Sequence, residues 1–325
     1  MKKFRWCFIG AGGLARQVAS QLKKSGRHEV VAVYTRDYGK CVEFADKYGC
    51  KPYKNVEDAI TSPDVDGVYI VTPHNAHYRY AKMSLLSGKP VFCEKAFTVT
   101  ADEADELIKL SREKGVYLCE AMWTWFSPCA NMTKKWIDEN KIGKVKSAYF
   151  SYHVNIARHG GRLTDPKRAG GALLDITVYP ITYAYRLFGF PDKIECKAKM
   201  KDGVDLSEEI TFTYNDGLRV YITSSLEDSK GLEKMVIEGE NGVIKAPFFH
   251  AYNKITCKKG LFNRETFRGD GPRINSYLDE FDAVADDIIN GRTESSFVPL
   301  TATSDVMHIM DSIREQIGLK YDNLE

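Results

Sequence analysis

The residues closest to recognisable chemistry stand near the start of the chain. Gly10-Ala11-Gly12-Gly13-Leu14-Ala15 follows the apolar run Phe4–Ile9 and opens a helical pattern over residues 13–24. A G-x-G-x-x-A turn between strand and helix can cradle a pyrophosphate. Gly10 permits the tight turn, and Gly12 lets the backbone approach the phosphates. The N–H groups of Gly13 and Leu14, at the helix start, face that charge. Ala15 allows the helix to pack closely on the strand. The second strand, Val30–Tyr34, runs into Thr35-Arg36-Asp37, with Lys40 one turn on. An acidic residue there would bind a ribose 2′-hydroxyl, whereas a cation would bind a 2′-phosphate. Thr35, Arg36 and Lys40 therefore point to NADP, while Asp37 leaves NAD open.

The elements needed to position this loop are legible over the first 122 residues. Short β-favouring runs alternate with helical ones, which implies a parallel, doubly wound sheet. Beyond residue 123 the pattern changes. Residues 144–154 read as a long strand, and hairpins are expected around Asn215-Asp216-Gly217 and Glu240-Asn241-Gly242. Helical stretches near residues 171–188, 274–289 and 301–317 accompany them. The expected architecture is an α/β Rossmann domain over 1–122, followed over 123–325 by an α+β domain with a largely antiparallel, open-faced sheet. Helices on one face leave the other to solvent or to a second subunit, so a homodimer or higher homo-oligomer through that face is expected.

Composition removes other classes. The 325 residues carry 46 basic and 44 acidic side chains, a net charge of +2. A generally basic surface for nucleic acid or membrane is thus absent. No apolar run reaches the ~18 residues of a membrane span. Lys2, Lys3 and Arg5 ahead of an apolar stretch resemble a secretory leader, but Gly10, Gly12, Gly13 and Arg16 dilute that stretch. A cytoplasmic protein is expected. The 8 cysteines are dispersed without a C-x-x-C pair, and read as free thiols rather than metal ligands.

Further along, Thr72-Pro73-His74-Asn75-Ala76-His77 and Gly88-Lys89-Pro90-Val91-Phe92-Cys93-Glu94-Lys95 form two ordered segments. Gly170-Gly171-Ala172-Leu173-Leu174-Asp175-Ile176-Thr177-Val178-Tyr179-Pro180 forms a third. Together they resemble the Gfo/Idh/MocA oxidoreductases over essentially the whole chain. Glu120-Ala121-Met122-Trp123-Thr124 and Arg314-Glu315-Gln316-Ile317-Gly318 narrow the resemblance to its branch of trans-1,2-dihydrobenzene-1,2-diol and NADP-dependent D-xylose dehydrogenases.

The resemblance implies that Thr72, Pro73, His77, Glu94 and Lys95 line the cofactor. It also implies hydride exchange between a nicotinamide and a secondary alcohol, hemiacetal or ketone of a small sugar, polyol or diol. Lys95 and Tyr179 would be the acid/base pair, with Asp175 as a catalytic group that orients the substrate or assists the pair. The chemistry is coherent: a phenol of ordinary pKa about 10 is a poor base at neutral pH, and a nearby ammonium favours its phenolate. Tyr179 lies four residues after Asp175, which in an α-helix would place both on one face. The basic segment 158–168, and Arg162 above all, is a candidate for holding substrate.

Two departures bear on the reading. Ala96 replaces the proline that commonly follows a cis bond in the family, and a cis bond to a non-proline residue costs ~2.5–4 kcal/mol, so the isomer at Lys95–Ala96 stays open. Trp125 stands where the nearer relatives carry arginine, which bears on substrate preference. Two other functions remain open on sequence: a dinucleotide-binding sensor without turnover, and elimination or glycoside cleavage assisted by tightly held NAD.

Overall fold

The computed structural model describes residues 3–229, 233–251, 253–260, 263–269 and 277–321. They divide into two compact units, residues 3–123 with 277–304, and residues 124–269 with 305–321.

The first unit strings together β1 (Phe4–Ile9), α1 (Gly13–Ser25), β2 (His28–Tyr34), α2 (Tyr38–Tyr48), β3 (Lys51–Tyr53), α3 (Val56–Thr61), β4 (Gly67–Ile70), α4 (His77–Leu86), β5 (Val91–Glu94), α5 (Ala101–Lys114) and β6 (Leu118–Ala121). Its strands are parallel, in the order β3-β2-β1-β4-β5-β6. The sequence shows why α1 packs on this sheet. Its buried residues Ala15, Val18, Ala19 and Leu22 recur at helical spacing, and Gly26, at φ 73°, ends the helix. β3 and α3 are too short for their periodicity to be read from sequence.

The second unit contains α6 (Pro128–Asp138), β7 (Val145–His153), α7 (Val178–Phe188), β8 (Lys193–Lys201), β9 (Val204–Thr213), β10 (Arg219–Ser225), β11 (Lys234–Gly239), β12 (Val243–Pro247), β13 (Lys254–Lys259) and β14 (Asn263–Arg268). Its sheet runs β14-β13-β12-β11-β7-β10-β9-β8. Every pairing is antiparallel except β7 with β10. Both expected hairpins are present, joining β9 to β10 and β11 to β12. Alternating burial along β10 and β11 gives the sheet one packed face and one exposed face.

Two helices follow, α8 (Leu278–Ile289) and α9 (Leu300–Gln316). The start of the helix expected at residue 274 lies outside the described residues. A single cut at 122/123 does not reproduce the compact units, because residues 277–304 return to the first. The cause is aromatic. Phe281 of α8, with no exposed surface, packs edge-on against Trp6, Tyr69 and Phe92 at ring distances of 5.0, 4.9 and 5.1 Å. Polar contacts seal the same helix, with His28 Nε2 at 2.9 Å from Asp282 and Arg27 at 2.6 Å from Asp286. Among the described residues no helix is long and apolar enough to cross a membrane. All 8 cysteines are free thiols.

Candidate active site

The glycine loop has the geometry that holds a dinucleotide. Gly10 sits at φ +120°, and a Cβ there would meet the Val71 carbonyl oxygen at 2.4 Å, so only glycine fits. Cβ atoms at Gly12 and Gly13 would meet no protein atom within 4 Å. Gly12 is the N-cap of α1, and no side chain caps the helix. The helix start is therefore clear for a pyrophosphate, and the residues present fit the group.

At the end of β2 the structure separates the candidates. Asp37 is the N-cap of α2, accepting the Lys40 backbone N–H at 3.2 Å, and that bond holds its carboxyl below the usual range. Lys40 Nζ lies 3.6 Å from the same carboxylate. Thr35 is half-buried and Arg36 exposed beside them. The carboxylate that left NAD open is thus engaged in starting the next helix.

His77 and Glu94 are both buried and bonded to neighbouring elements. His77 has no exposed surface, and its ring nitrogens each lie 2.9 Å from a carbonyl oxygen, those of Ala96 and Thr72. It ties the turn after β4, with Thr72 and Pro73, to the turn after β5. Glu94 is buried and accepts the Tyr69 hydroxyl at 2.5 Å. Lys95 follows it, half-exposed, and the Lys95–Ala96 peptide is cis.

Two further buried carboxyls, Glu120 and Glu280, interact electrostatically with Glu94. Glu120 is 3 % exposed and accepts the Thr303 hydroxyl at 3.0 Å. Burial pushes its pKa up to about 7. Glu280 is 1 % exposed, and neither carboxylate oxygen has a hydrogen-bond partner among the described residues. Burial and then the nearby Glu94 charge push it well above the carboxylate range.

In the second unit, the segment read as one helix begins as a wider turn. Leu173–Thr177 is π-helical, and α7 starts at Val178. Asp175 therefore lies in the π-helical turn and Tyr179 in the first turn of α7, rather than both in one regular α-helix. Asp175 accepts from the Arg162 guanidinium at 2.6 Å, so the basic segment does reach the motif. Two further carboxyls support the turn. Asp205 accepts the Leu173 N–H at 2.6 Å, and Glu208 accepts the Thr177 and Ser224 hydroxyls at 2.7 Å each. Burial, then the Glu208 charge, raises the Asp205 carboxyl well above its usual range. The paired glycines follow from crowding: a Cβ at Gly170 would meet the Arg162 carbonyl oxygen at 2.4 Å.

Tyr179, 7 % exposed, packs among aromatic rings. Its ring centre is 5.9 Å from Tyr152 and 5.5 Å from His250. Tyr152 and His250 stack at 4.6 Å, and the His250 Nδ1 lies 2.5 Å from Glu233. Nothing in the motif pattern signals His250 or Glu233, because both come from irregular segments around β11 and β12. Trp125 is buried beneath Arg186, whose guanidinium lies 5.0 Å from the indole and donates to the Trp125 carbonyl oxygen at 3.0 Å. A cavity of about 320 Å³ in the same unit is lined by Arg158, Thr164, Lys201 and Glu227 among others, but by neither Asp175 nor Tyr179.

Residues 4–121 match the model of the Gfo/Idh/MocA oxidoreductase family with its NAD-binding Rossmann fold, and residues 131–245 match that family's C-terminal domain. The chain belongs to this family. As a Gfo/Idh/MocA protein it is an oxidoreductase with a nicotinamide-dinucleotide-binding first unit. It is 28 % identical to trans-1,2-dihydrobenzene-1,2-diol dehydrogenase of Mus musculus over 327 residues, 98 % of each chain. It is 27 % identical to the D-xylose 1-dehydrogenase (NADP(+)) of Hypocrea jecorina, over 98 % of this chain and 93 % of the relative. The 3-ketoreductase KijD10 of Actinomadura kijaniata, solved with NADP and TDP-benzene, shares the fold at a TM-score of 0.87 and 22 % identity, covering 97 % of this chain and 98 % of that one.

Proposed function

We propose that this family member is an NADP-dependent dehydrogenase or reductase acting on a secondary alcohol, hemiacetal or ketone of a small sugar, polyol or diol. The observation that carries the reading is the place of Lys95. It directly follows β5, at the carboxyl ends of the parallel strands that also carry Gly10 and Thr72. A doubly wound sheet takes its ligand at that edge, where the strand order reverses between β1 and β4. The mouse and Hypocrea relatives, named for diol and xylose oxidation, support the substrate class.

In this reading Gly10, Gly12, Gly13 and Leu14 hold the pyrophosphate. Thr35, Arg36 and Lys40 hold the 2′-phosphate. Bound NADP supplies the hydride acceptor or donor. Tyr179 takes the hydroxyl proton during oxidation and returns it during reduction. Lys95 favours the phenolate by its charge. Asp175, held by Arg162, accepts a hydrogen bond from a substrate hydroxyl and orients the carbon. His77 positions the two cofactor loops. The exposed face of the second sheet is proposed as the self-association surface.

A nicotinamide-absorbance screen over pentoses, hexoses, inositols and vicinal diols, with NADP and NAD in parallel, tests this. Turnover with at least one polyhydroxy substrate, preferring NADP, is expected. Release of product without net change in dinucleotide redox state would replace it with cofactor-assisted elimination.

A further inference from the structure

Behind Tyr179 lies an arrangement that the catalytic pair does not use. His250 sits on a short turn, Phe249–Ala251, anchored by Phe249. That phenyl ring has no exposed surface and meets Phe150 and Tyr183 edge-on at 5.6 and 5.3 Å. The turn thereby presents the imidazole to Tyr152 and Tyr179. Glu233, 7 % exposed, approaches the imidazole Nδ1 at 2.5 Å and accepts the His250 backbone N–H at 2.7 Å. The Glu233 charge beside Nδ1 favours a proton on that nitrogen over a lone pair, the tautomer in which Nε2 accepts. The Tyr152 hydroxyl lies 3.2 Å from that Nε2. Glu233 from the segment before β11, Tyr152 from β7 and Tyr179 from α7 are titratable groups that face His250.

We infer that Tyr152, His250 and Glu233 form a proton relay that serves Tyr179. This rests on the reading of Tyr179 as the acid/base group. During oxidation the substrate C–H bond breaks, and its electron pair leaves as hydride to the oxidised dinucleotide. The O–H bond breaks with it, and the proton goes to the Tyr179 phenolate oxygen. Tyr179 must lose that proton before the next turnover. It passes it to the Tyr152 oxygen as Tyr152 gives its own proton to His250 Nε2. Glu233 stabilises the resulting imidazolium, and His250, with a side chain 21 % exposed, releases the proton to water. Reduction runs the same transfers backwards.

The test uses full-length Tyr152→Phe, His250→Ala, Glu233→Gln and Tyr179→Phe proteins. It measures kcat, KM and their pH profiles for alcohol oxidation, and NADPH affinity by fluorescence titration. Tyr152→Phe and His250→Ala should lower kcat about 10–100-fold, below the full effect of losing an acid/base group. KM and NADPH affinity should stay within about twofold, and imidazole should restore part of the His250→Ala rate. Glu233→Gln should lower kcat in the same direction while leaving KM unchanged. Tyr152→Phe removes one hydroxyl and keeps the stacked ring, so it decides the matter if His250→Ala fails to fold. An inactive Tyr179→Phe alongside wild-type kcat and pH profile in Tyr152→Phe would overturn the relay and leave the acid/base reading standing. Normal turnover by Tyr179→Phe would remove both.

Discussion

Gly171 lies so close to Asp205 that a Cβ at that position would meet the carboxylate Oδ1 at 1.9 Å, and its φ of +120° is one that other residues rarely adopt. The same Asp205 accepts the Leu173 N–H at the start of the π-helical turn that bears Asp175. Substituting Gly171 therefore displaces the carboxyl that fixes the turn. Gly171→Ala should cost about 2–4 kcal/mol in urea unfolding. Gly161→Ala, at φ +80° with no atom within 4 Å, should cost only about 1 kcal/mol. Equal costs would mean that the backbone angle, not Asp205, sets the requirement.

The buried carboxyls Glu120 and Glu280 make stability fall as the pH rises above the ordinary carboxylate range. Glu120, raised to about 7, binds a proton in the folded chain that the unfolded chain has lost. The folded state is thus favoured below about pH 4.5, and that advantage disappears as pH rises through about 7. The loss is roughly 3 kcal/mol for Glu120, and Glu280 acts in the same direction. Glu280→Gln, an uncharged isostere, should raise the melting temperature at pH 8 and leave it nearly unchanged at pH 4. A matching gain at both pH values would contradict the burial of an ionisable carboxyl there.

Cofactor choice should divide between adjacent residues. Arg36→Ala should weaken NADPH binding about tenfold or more while changing NADH binding little, because only the former carries a 2′-phosphate. Asp37→Ala should lower the melting temperature modestly through loss of the α2 cap, without converting preference to NAD. Fluorescence titration with both dinucleotides measures the two effects.

The Arg162–Asp175 pair, at 2.6 Å, couples the basic segment to the substrate motif. Arg162→Ala and Asp175→Asn should each raise substrate KM about tenfold. The double variant should be little worse than either alone, since both remove one interaction. Additive losses in a double-mutant cycle would show that the two side chains act separately.

Sequence resolved what repeats or obeys a local rule. The glycine turn, the alternating first half and both hairpins follow from spacing and turn residues, and the structure contains them. It did not reveal the burial of Glu120, nor Glu280, His250 or Glu233 at all, because their settings come from long-range packing rather than from neighbours in the chain. Phe281 shows the same limit: a phenylalanine on an ordinary amphipathic helix returns the chain to the first unit only because Trp6, Tyr69 and Phe92 are there to receive it. The π-helical turn at Leu173–Thr177 escaped because a 3.6-residue period was assumed through it. The motif marked His77 and Glu94, but their hydrogen bonds to the turn after β5 and to Tyr69 come from packing that no local pattern encodes.

Hydride transfer with Tyr179 and Lys95 managing the proton is tested most directly by steady-state NADPH formation on the best substrate from the screen. Wild-type, Tyr179→Phe and Lys95→Met proteins are compared after each has been shown to bind NADPH. Each variant should lose at least about 100-fold in kcat while retaining NADPH affinity within a few-fold. Wild-type turnover in both variants would contradict the assignment of this chemistry to Tyr179 and Lys95.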